Sequence, residues 1–185
     1  MGSEMCIRDS YRKMSVVLIT GGTGLVGTAL CKALKAKGDQ VRILSRSSKQ
    51  ENDLFYWNPD KHEIDANALK DVEVVYHLAG TRIADKAWTV ERKNEIVKSR
   101  AGTADFLRSE FLKLGTFPKQ FIAVSAVGYY TNNQAILNTE ESQKGKGFLA
   151  ESTSEWERSL QKWKANTNVC IFRLGVVLSA KGGAL

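Results

Sequence analysis

A glycine-rich turn limits what this chain can fold into more than any other feature. The stretch LITGGTGLVG, Leu18 to Gly27, places four glycines directly after an apolar run. Glycine adopts positive φ and lets other groups approach the backbone closely, but ordering it costs more conformational entropy than ordering any other residue. A chain that carries this cost at one point must either turn very tightly there or touch another group.

Short β-rich runs alternate with longer stretches of helical periodicity along the chain. The predicted strands are Ser15–Thr20, Gln40–Ser45, a weak one near Phe55, Val72–Gly80, Lys119–Tyr130 and 169–178. The predicted helices lie between Val26 and Gly38, at Thr89–Leu114 and at 149–163, and Thr131–Gly147 is predicted to be one long loop. Strands that are apolar throughout and alternate with helices are typical of a parallel sheet buried on both faces. The pattern predicts an α/β fold with a doubly wound parallel sheet and helices on both faces.

The length of 185 residues, 43% of them hydrophobic, suits one globular domain with a sizeable core. Residues 1–13 show neither periodicity nor a long apolar segment. We therefore predict a disordered or non-native leader over 1–13 and a single domain over 14–185.

Charge and cysteine content argue against several classes of function. The net charge is +7, but Lys and Arg alternate with Asp and Glu along most of the chain, which predicts a solvated surface rather than a nucleic-acid-binding face. Cys6, Cys31 and Cys170 are far apart and form no CxxC pair, which argues against a disulfide framework or a metal site. No apolar run approaches the roughly 18 residues that span a bilayer. We expect a cytoplasmic protein that binds neither nucleic acid nor membrane.

The position of the glycines indicates what they serve. Gly21, Gly24 and Gly27 follow a predicted strand and open an amphipathic helix, where glycines permit a tight turn, close approach of a pyrophosphate and close helix packing. The helix N-terminus adds free N–H groups and partial positive charge. This context favours dinucleotide binding by a Rossmann-type domain over a turn with a purely structural role.

The end of the second predicted strand favours one cofactor. NAD sites usually carry Asp or Glu there for the ribose 2′-hydroxyl, whereas NADP sites place Arg near the 2′-phosphate. This chain has Ser45, Arg46 and Ser47, which supply hydrogen-bond donors and no carboxylate. We predict a preference for NADP(H) over NAD(H); the alternative is that Arg46 is a solvated loop residue.

Three motifs carry a family resemblance: TGGTGLVG at Thr20, HLAG at His77 and SAVGYY at Ser125. With them the chain resembles the extended short-chain dehydrogenase/reductases. The stretches Leu78–Thr103, 148–157 and 173–185 are similar to the epimerase-family subgroup of NAD-dependent epimerase/dehydratase-like proteins. The resemblance implies that Leu78–Gly80 also lines the cofactor. The candidate cofactor-binding residues are then Gly21, Thr23, Gly24, Leu25, Val26, Gly27, Ser45, Arg46, Ser47, Leu78, Ala79 and Gly80.

The same resemblance implies catalytic candidates. Ser125 ends the strand at which the family places its catalytic serine, where it would hydrogen-bond a substrate hydroxyl or carbonyl; the alternative is that it caps a strand end. Tyr130 is a second candidate, as an acid or base, on motif position. His77, Trp156 and Trp163 are predicted to pack in the core.

Several positions depart from the family pattern. Phe148 and Ser152 stand where the superfamily has its active Tyr-x-x-x-Lys, and Ser99 replaces its usual Asn. A phenyl ring transfers no proton. Members of the subgroup also carry a C-terminal substrate lobe after the sixth strand, and we expect that lobe to be missing from a chain that stops at SAKGGAL.

Two functions remain open from the sequence. One is an NADP(H)-binding domain with redox or epimerase-type chemistry on a sugar-like or other carbonyl or alcohol substrate. The other is a non-catalytic NADP(H)-binding sensor or regulatory module. The expected partners are the dinucleotide and an unidentified small molecule, with a homodimer as the candidate assembly.

Overall fold

The computed structural model describes residues 14–47, 53–131 and 137–180. The strands are β1 (Val16–Thr20), β2 (Gln40–Ser45), β3 (Leu54–Asn58), β4 (Glu63–Ile64), β5 (Val74–His77), β6 (Gln120–Ala126) and β7 (Asn168–Leu174). The α-helices are α1 (Leu25–Ala36), α2 (Val90–Val97), α3 (Thr103–Leu114) and α4 (Phe148–Gln161). Short 3₁₀ segments occupy Ala66–Leu69, Val127–Tyr129 and Lys162–Ala165.

All seven strands belong to one sheet in the order β4-β3-β2-β1-β5-β6-β7. Every neighbouring pair is parallel except β3 and β4. The chain moves outward from β1 to one side through β2 and β3, and then crosses to the other side at β5. This doubly wound, Rossmann-type arrangement confirms the predicted fold class, and such sheets bind ligands at the carboxyl ends of the strands where the order reverses.

Two apolar clusters cover the two faces of the sheet. Alternate residues of β1 point to opposite faces, so that Val17 and Ile19 pack with Cys31 and Leu34 of α1. Leu18 faces the other side, in a larger cluster whose fully buried members include Phe111, Phe121 and Trp163. Trp156 belongs to the same cluster, as predicted.

The predicted long helix at Thr89–Leu114 is continuous but contains one wider turn. Residues Lys98–Gly102 form a π-helical turn between α2 and α3. Such turns are rare, and they frequently occur at functional sites. Gly115, with φ of +72°, then ends α3 in the left-handed conformation that favours glycine.

Three strands, β5, β6 and β7, end earlier than predicted, β7 at Leu174 rather than 178, and β4 was not predicted at all. β5 ends at His77; the next N–H, of Leu78, is shared between the carbonyl and the hydroxyl of Thr20, and that of Ala79 bonds to the hydroxyl. β6 ends at Ala126 because Val127–Tyr129 turns into 3₁₀ geometry. β4 pairs only two residues with β3, which is too short to produce an alternating pattern.

Within the described ranges, none of the helices is long and apolar enough to cross a membrane.

Candidate functional site

A cavity of about 600 Å³ opens at the carboxyl ends of β1, β2, β3 and β5. Its wall is built from the glycine turn, the segment after β2, the turn after β3, the segment after β5, and the α2–α3 region. The lining residues are Gly21, Thr23, Gly24, Leu44, Ser45, Arg46, Ser47, Trp57, Pro59, Asp60, His62, Leu78, Ala79, Gly80, Thr81, Glu95, Lys98, Ser99, Gly102 and Thr103.

Three of the four glycines, Gly21, Gly24 and Gly27, have different surroundings. Gly21 has φ of +70°, and a Cβ there would lie 2.8 Å from the carbonyl oxygen of Leu78. A Cβ on Gly27 would lie 2.2 Å from the carbonyl oxygen of Gly21. A Cβ on Gly24 would meet only that same oxygen, at 3.3 Å, and Gly24 lines the cavity. Gly21 and Gly27 therefore close the turn, whereas Gly24 leaves its surface open to a ligand.

The N-terminus of α1 lies beside this surface. Gly24 is its N-cap and provides no side-chain acceptor, and the first turn contains no acidic residue. The first N–H groups of a helix have no partner inside the helix, and the helix dipole adds partial positive charge there. The turn therefore presents donors and positive charge without a protein anion to neutralise them, which suits a phosphate.

A buried hydroxyl fixes the segment Leu78–Gly80 against the end of β1. The Oγ1 of Thr20 accepts hydrogen bonds from the N–H of Leu78 at 3.2 Å and from that of Ala79 at 3.1 Å. The Thr20 hydroxyl lies 2.9 Å from Nδ1 of His77. Because its oxygen already accepts two bonds, we assign its proton to the bond with Nδ1.

His77 continues this network toward the π-helical turn. The side chain is fully buried, and its Nε2 lies 3.4 Å from Oγ1 of Thr103, whose own proton is directed to the carbonyl of Ser99 or Arg100 at 2.9 Å. We therefore assign the neutral tautomer with hydrogen on Nε2. Burial lowers the pKa of His77 to about 4. His77 is a neutral core residue, as predicted, and it joins Thr20 at the end of β1 to Thr103 at the start of α3.

Charged side chains surround the other end of the cavity. Arg46 follows β2, and Ser47 donates its N–H to Oγ of Ser45 at 3.1 Å. Lys98, the first residue of the π-helical turn, forms an ion pair of 2.7 Å with Asp60, in the turn between β3 and β4. The hydrogen bond from Lys98 holds the pKa of the Asp60 carboxyl below its usual value, and Arg46 and His62 add smaller effects in the same direction.

Most of the predicted cofactor-binding residues meet in this cavity. Those that line it are Gly21, Thr23, Gly24, Ser45, Arg46, Ser47, Leu78, Ala79 and Gly80. Leu25, Val26 and Gly27 do not line it, because Leu25 and Val26 point to solvent on α1 and Gly27 is packed inside the turn.

Two further walls were not predicted from the sequence. One consists of Trp57 in β3 and of Pro59, Asp60 and His62 in the turn after it; the other consists of Glu95 on α2 and Lys98 in the π-helical turn. The Pro59–Asp60 turn after a weak strand was a usable signal, since the carboxyl end of a parallel strand lies at the same edge as that of its neighbours.

The catalytic candidates lie in a different network. Ser125 is buried and donates to Oε1 of Glu157 at 2.6 Å. The Arg173 guanidinium donates to both oxygens of Glu157 and, at 2.7 Å, to the hydroxyl of Tyr130. Neither Ser125 nor Tyr130 lines the 600 Å³ cavity. Sequence reasoning did not find Glu157 or Arg173.

The positions that depart from the Tyr-x-x-x-Lys pattern lie at the start of α4. Phe148 is its first residue, and its ring packs on Trp88 with Nζ of Lys93 5.4 Å from its centroid. Ser152 is buried and donates to the carbonyl of Leu149 at 3.1 Å. Neither side chain can act as a phenol or as an ammonium group.

A sequence model of the NAD dependent epimerase/dehydratase family matches residues 17–181. The chain belongs to this family. An epimerase family protein of Mycobacterium leprae is 33% identical over 174 residues, which are 94% of this chain and 56% of that protein. A Staphylococcus aureus epimerase family protein is 34% identical over 176 residues, 93% of this chain and 58% of its own.

Solved structures of two epimerase-family proteins resemble this fold over nearly all of the chain. The human epimerase family protein SDR39U1, solved with NADPH, is 30% identical with a TM-score of 0.76, covering 91% of this chain and 56% of that one. A nucleoside-diphosphate sugar epimerase from Corynebacterium glutamicum is 33% identical with a TM-score of 0.77, covering 93% of this chain and 36% of that one. The epimerase-family chain described here thus spans little more than half the length of the curated relatives that it matches.

Proposed function

We propose that this chain is the NADP(H)-binding domain of an atypical extended short-chain dehydrogenase/reductase. The observation that carries the proposal is the cavity formed by the glycine turn, the uncapped N-terminus of α1 and Leu78–Gly80. Gly24 lines this cavity, and a Cβ there would approach only the carbonyl oxygen of Gly21, at 3.3 Å; the missing side chain leaves the nearby backbone N–H groups open to a pyrophosphate. The human relative solved with NADPH supports the same cofactor class.

Arg46 supports NADP(H) over NAD(H). It lines the cavity directly after β2, where an NAD site carries an acid for the ribose 2′-hydroxyl. Two carboxylates also line the cavity, but Asp60 is ion-paired with Lys98 and Glu95 is ion-paired with Arg92. The residues after β2 therefore present a guanidinium to a 2′-phosphate, a group that Arg binds well.

Replacing Arg46 with Asp tests the cofactor preference. Arg46→Asp should weaken NADPH binding by about 1–3 kcal/mol, the scale of a lost hydrogen bond to a charged group, and should affect NADH much less. Isothermal titration calorimetry measures both affinities. Lys119→Asp is a matched control, because Lys119 pairs with Glu73 at the opposite edge of the sheet. An equal change in the affinities for both cofactors would mean that Arg46 is a solvated surface residue without a role in cofactor preference.

Bound nicotinamide supplies hydride transfer, and we propose that the complete protein uses it for redox or epimerase-type chemistry on a sugar-like or other carbonyl or alcohol substrate. The residues at the start of α4 favour a second candidate, a non-catalytic NADP(H)-binding sensor. Phe148 and Ser152 supply neither the phenol nor the ammonium group with which the superfamily moves a proton.

A turnover assay on this chain can exclude the sensor. General acid–base catalysis typically contributes about 10²–10⁴ in rate. We therefore expect no measurable epimerase or dehydrogenase turnover with common nucleotide sugars, followed by nicotinamide absorbance and product chromatography, while cofactor binding is retained. Robust turnover that disappears in Tyr130→Phe would instead identify Tyr130 as a replacement proton donor and exclude the sensor.

A further inference from the structure

One ion pair joins the two walls of the cavity at its charged end. Asp60 lies in the turn between β3 and β4, and Lys98 begins the π-helical turn on the facing wall. Their side chains meet at 2.7 Å although both are about two-thirds exposed, at 65% and 67%. Ion pairs with this exposure contribute little to stability and are readily exchanged.

The single carboxylate of this pair faces more than one cation. Arg46 lies close enough to Asp60 to act on its ionisation, together with His62. Arg46, Lys98 and Asp60 all line the same cavity. Its other carboxylate, that of Glu95, is paired with Arg92, so Asp60 is the carboxylate that Arg46 and Lys98 share. A phosphate monoester carries close to two negative charges at neutral pH and offers three acceptor oxygens, and is thus a better partner for two cations than one carboxylate.

We propose that Lys98 is a second cation for the 2′-phosphate of NADP(H), and that Asp60 holds its ammonium group until the phosphate replaces the carboxylate. This inference rests on the proposed NADP(H) binding and extends it to a residue on the helix side of the cavity. Arg46 approaches the phosphate from the end of β2, and Lys98 approaches it from the π-helical turn. Asp60 competes with the phosphate and so sets how strongly the site prefers the phosphorylated cofactor.

Affinities for NADPH and NADH, measured by calorimetry at one fixed salt concentration, test the proposal. Lys98→Met should weaken NADPH binding about tenfold, the effect of one lost charge-assisted contact, and change NADH binding less than about twofold. Asp60→Asn should tighten NADPH binding by about threefold or more and leave the NADH affinity nearly constant. The gain in NADPH affinity from Asp60→Asn should shrink in the Lys98→Met background, because Asp60 then no longer competes with the phosphate for the Lys98 ammonium group.

Matched controls come from another exposed ion pair. Lys113 and Glu110 pair at 2.6 Å on α3, and neither lines the cavity. Lys113→Met and Glu110→Gln should leave both affinities unchanged. Adenosine 2′-monophosphate should displace NADPH from the wild-type chain at a lower concentration than adenosine 5′-monophosphate does. This difference between the two competitors should be lost in Lys98→Met and kept in Lys113→Met.

The outcomes separate this inference from the proposed function. If the wild-type chain binds neither NADPH nor NADH, the proposed function fails. If it binds both, and Arg46→Asp changes the NADPH preference while Lys98→Met does not, the proposed function stands and the role of Lys98 is overturned. If Lys98→Met weakened the binding of NADPH and NADH equally, the proposed role of Lys98 would also be overturned.

Discussion

Arg173 of β7 holds the carboxylate of Glu157 on α4 with two hydrogen bonds of 2.8 Å each. Both side chains are largely buried, with exposed fractions of 19% and 10%. The pair raises the pKa of the Arg173 guanidinium further above its ordinary value. Arg173 also lies over the ring of Tyr129 at 3.8 Å and donates to the carbonyl of Glu140 at 3.0 Å. This ion pair therefore ties α4, β7 and the segment after β6 together.

Removing one member of this pair should destabilise the fold strongly. Arg173→Met leaves the Glu157 carboxylate buried without its cation, which typically costs about 3–5 kcal/mol in the free energy of unfolding. Urea denaturation, followed by tryptophan fluorescence, measures this loss in the free energy of unfolding. Lys113→Met, which breaks an exposed pair, should cost less than about 1 kcal/mol. A loss of similar size in both variants would contradict the buried role.

Adding Glu157→Gln to Arg173→Met should recover part of the lost stability, since the double variant no longer buries an unpaired charge. No recovery would mean that Arg173 acts by packing on Tyr129 and Tyr130 rather than through Glu157.

Ser125→Ala should affect stability more than cofactor binding. The Ser125 hydroxyl donates to Glu157 at 2.6 Å and does not line the cavity. Loss of this hydroxyl should lower the free energy of unfolding by about 1.5 kcal/mol, the low end for a hydrogen bond to a charged group. The low end applies because Arg173 still donates hydrogen bonds to Glu157. NADPH affinity should stay within about twofold.

Ser159→Ala is the matched control for this variant, since Ser159 is equally buried but donates only to the carbonyl of Trp156 within its own helix. Ser159→Ala should lower the free energy of unfolding by less than Ser125→Ala does. A large loss of NADPH affinity in Ser125→Ala would place its hydroxyl against the cofactor after all.

Two glycines of the turn should respond in opposite ways. Gly24→Val should abolish NADPH binding, because its side chain would occupy the phosphate cradle, while the free energy of unfolding changes by no more than about 1 kcal/mol. Gly27→Ala should destabilise the fold by about 1–3 kcal/mol, because its methyl group would collide with the Gly21 backbone. Calorimetry and urea denaturation give the two quantities. Full NADPH affinity in Gly24→Val would refute the phosphate cradle.

His77 should make stability fall in mild acid. Its pKa is about 4 in the folded protein and 6.5 when unperturbed. The unfolded chain therefore binds the proton more readily than the folded chain does. The stability that neutral His77 contributes is fully present above pH 6.5 and is lost as the pH falls toward 4. Between about pH 7.5 and pH 5 the loss should be about 2 kcal/mol.

His77→Gln isolates this effect, because glutamine keeps a polar side chain that does not titrate. Urea denaturation at both pH values should show a smaller difference for the variant by about 2 kcal/mol. Identical pH dependence in the two proteins would mean that His77 is not the responsible group.

Local patterns in the sequence determined the fold class of this protein and the position of its glycine-rich turn. Leu18 and its neighbours Val17 and Ile19 are all apolar, which indicates a strand buried on both faces, and the glycines that follow leave few conformations for the next turn. Parallel strands bring their carboxyl ends to one edge of the sheet, so Gly24 and Arg46 were expected to lie near each other there, and the family resemblance added Gly80.

Partners that lie far apart in the sequence were decided only by the tertiary structure. Alternation along β6 places Ser125 on one face of its strand, but it does not say that Glu157 lies opposite and accepts a hydrogen bond from the Ser125 hydroxyl. Asp60 and Lys98 look like ordinary surface charges until the β3–β4 turn and the π-helical turn bring them to 2.7 Å across the cavity. Periodicity reports which side of an element is buried, whereas hydrogen bonds and ion pairs depend on how separate elements pack together.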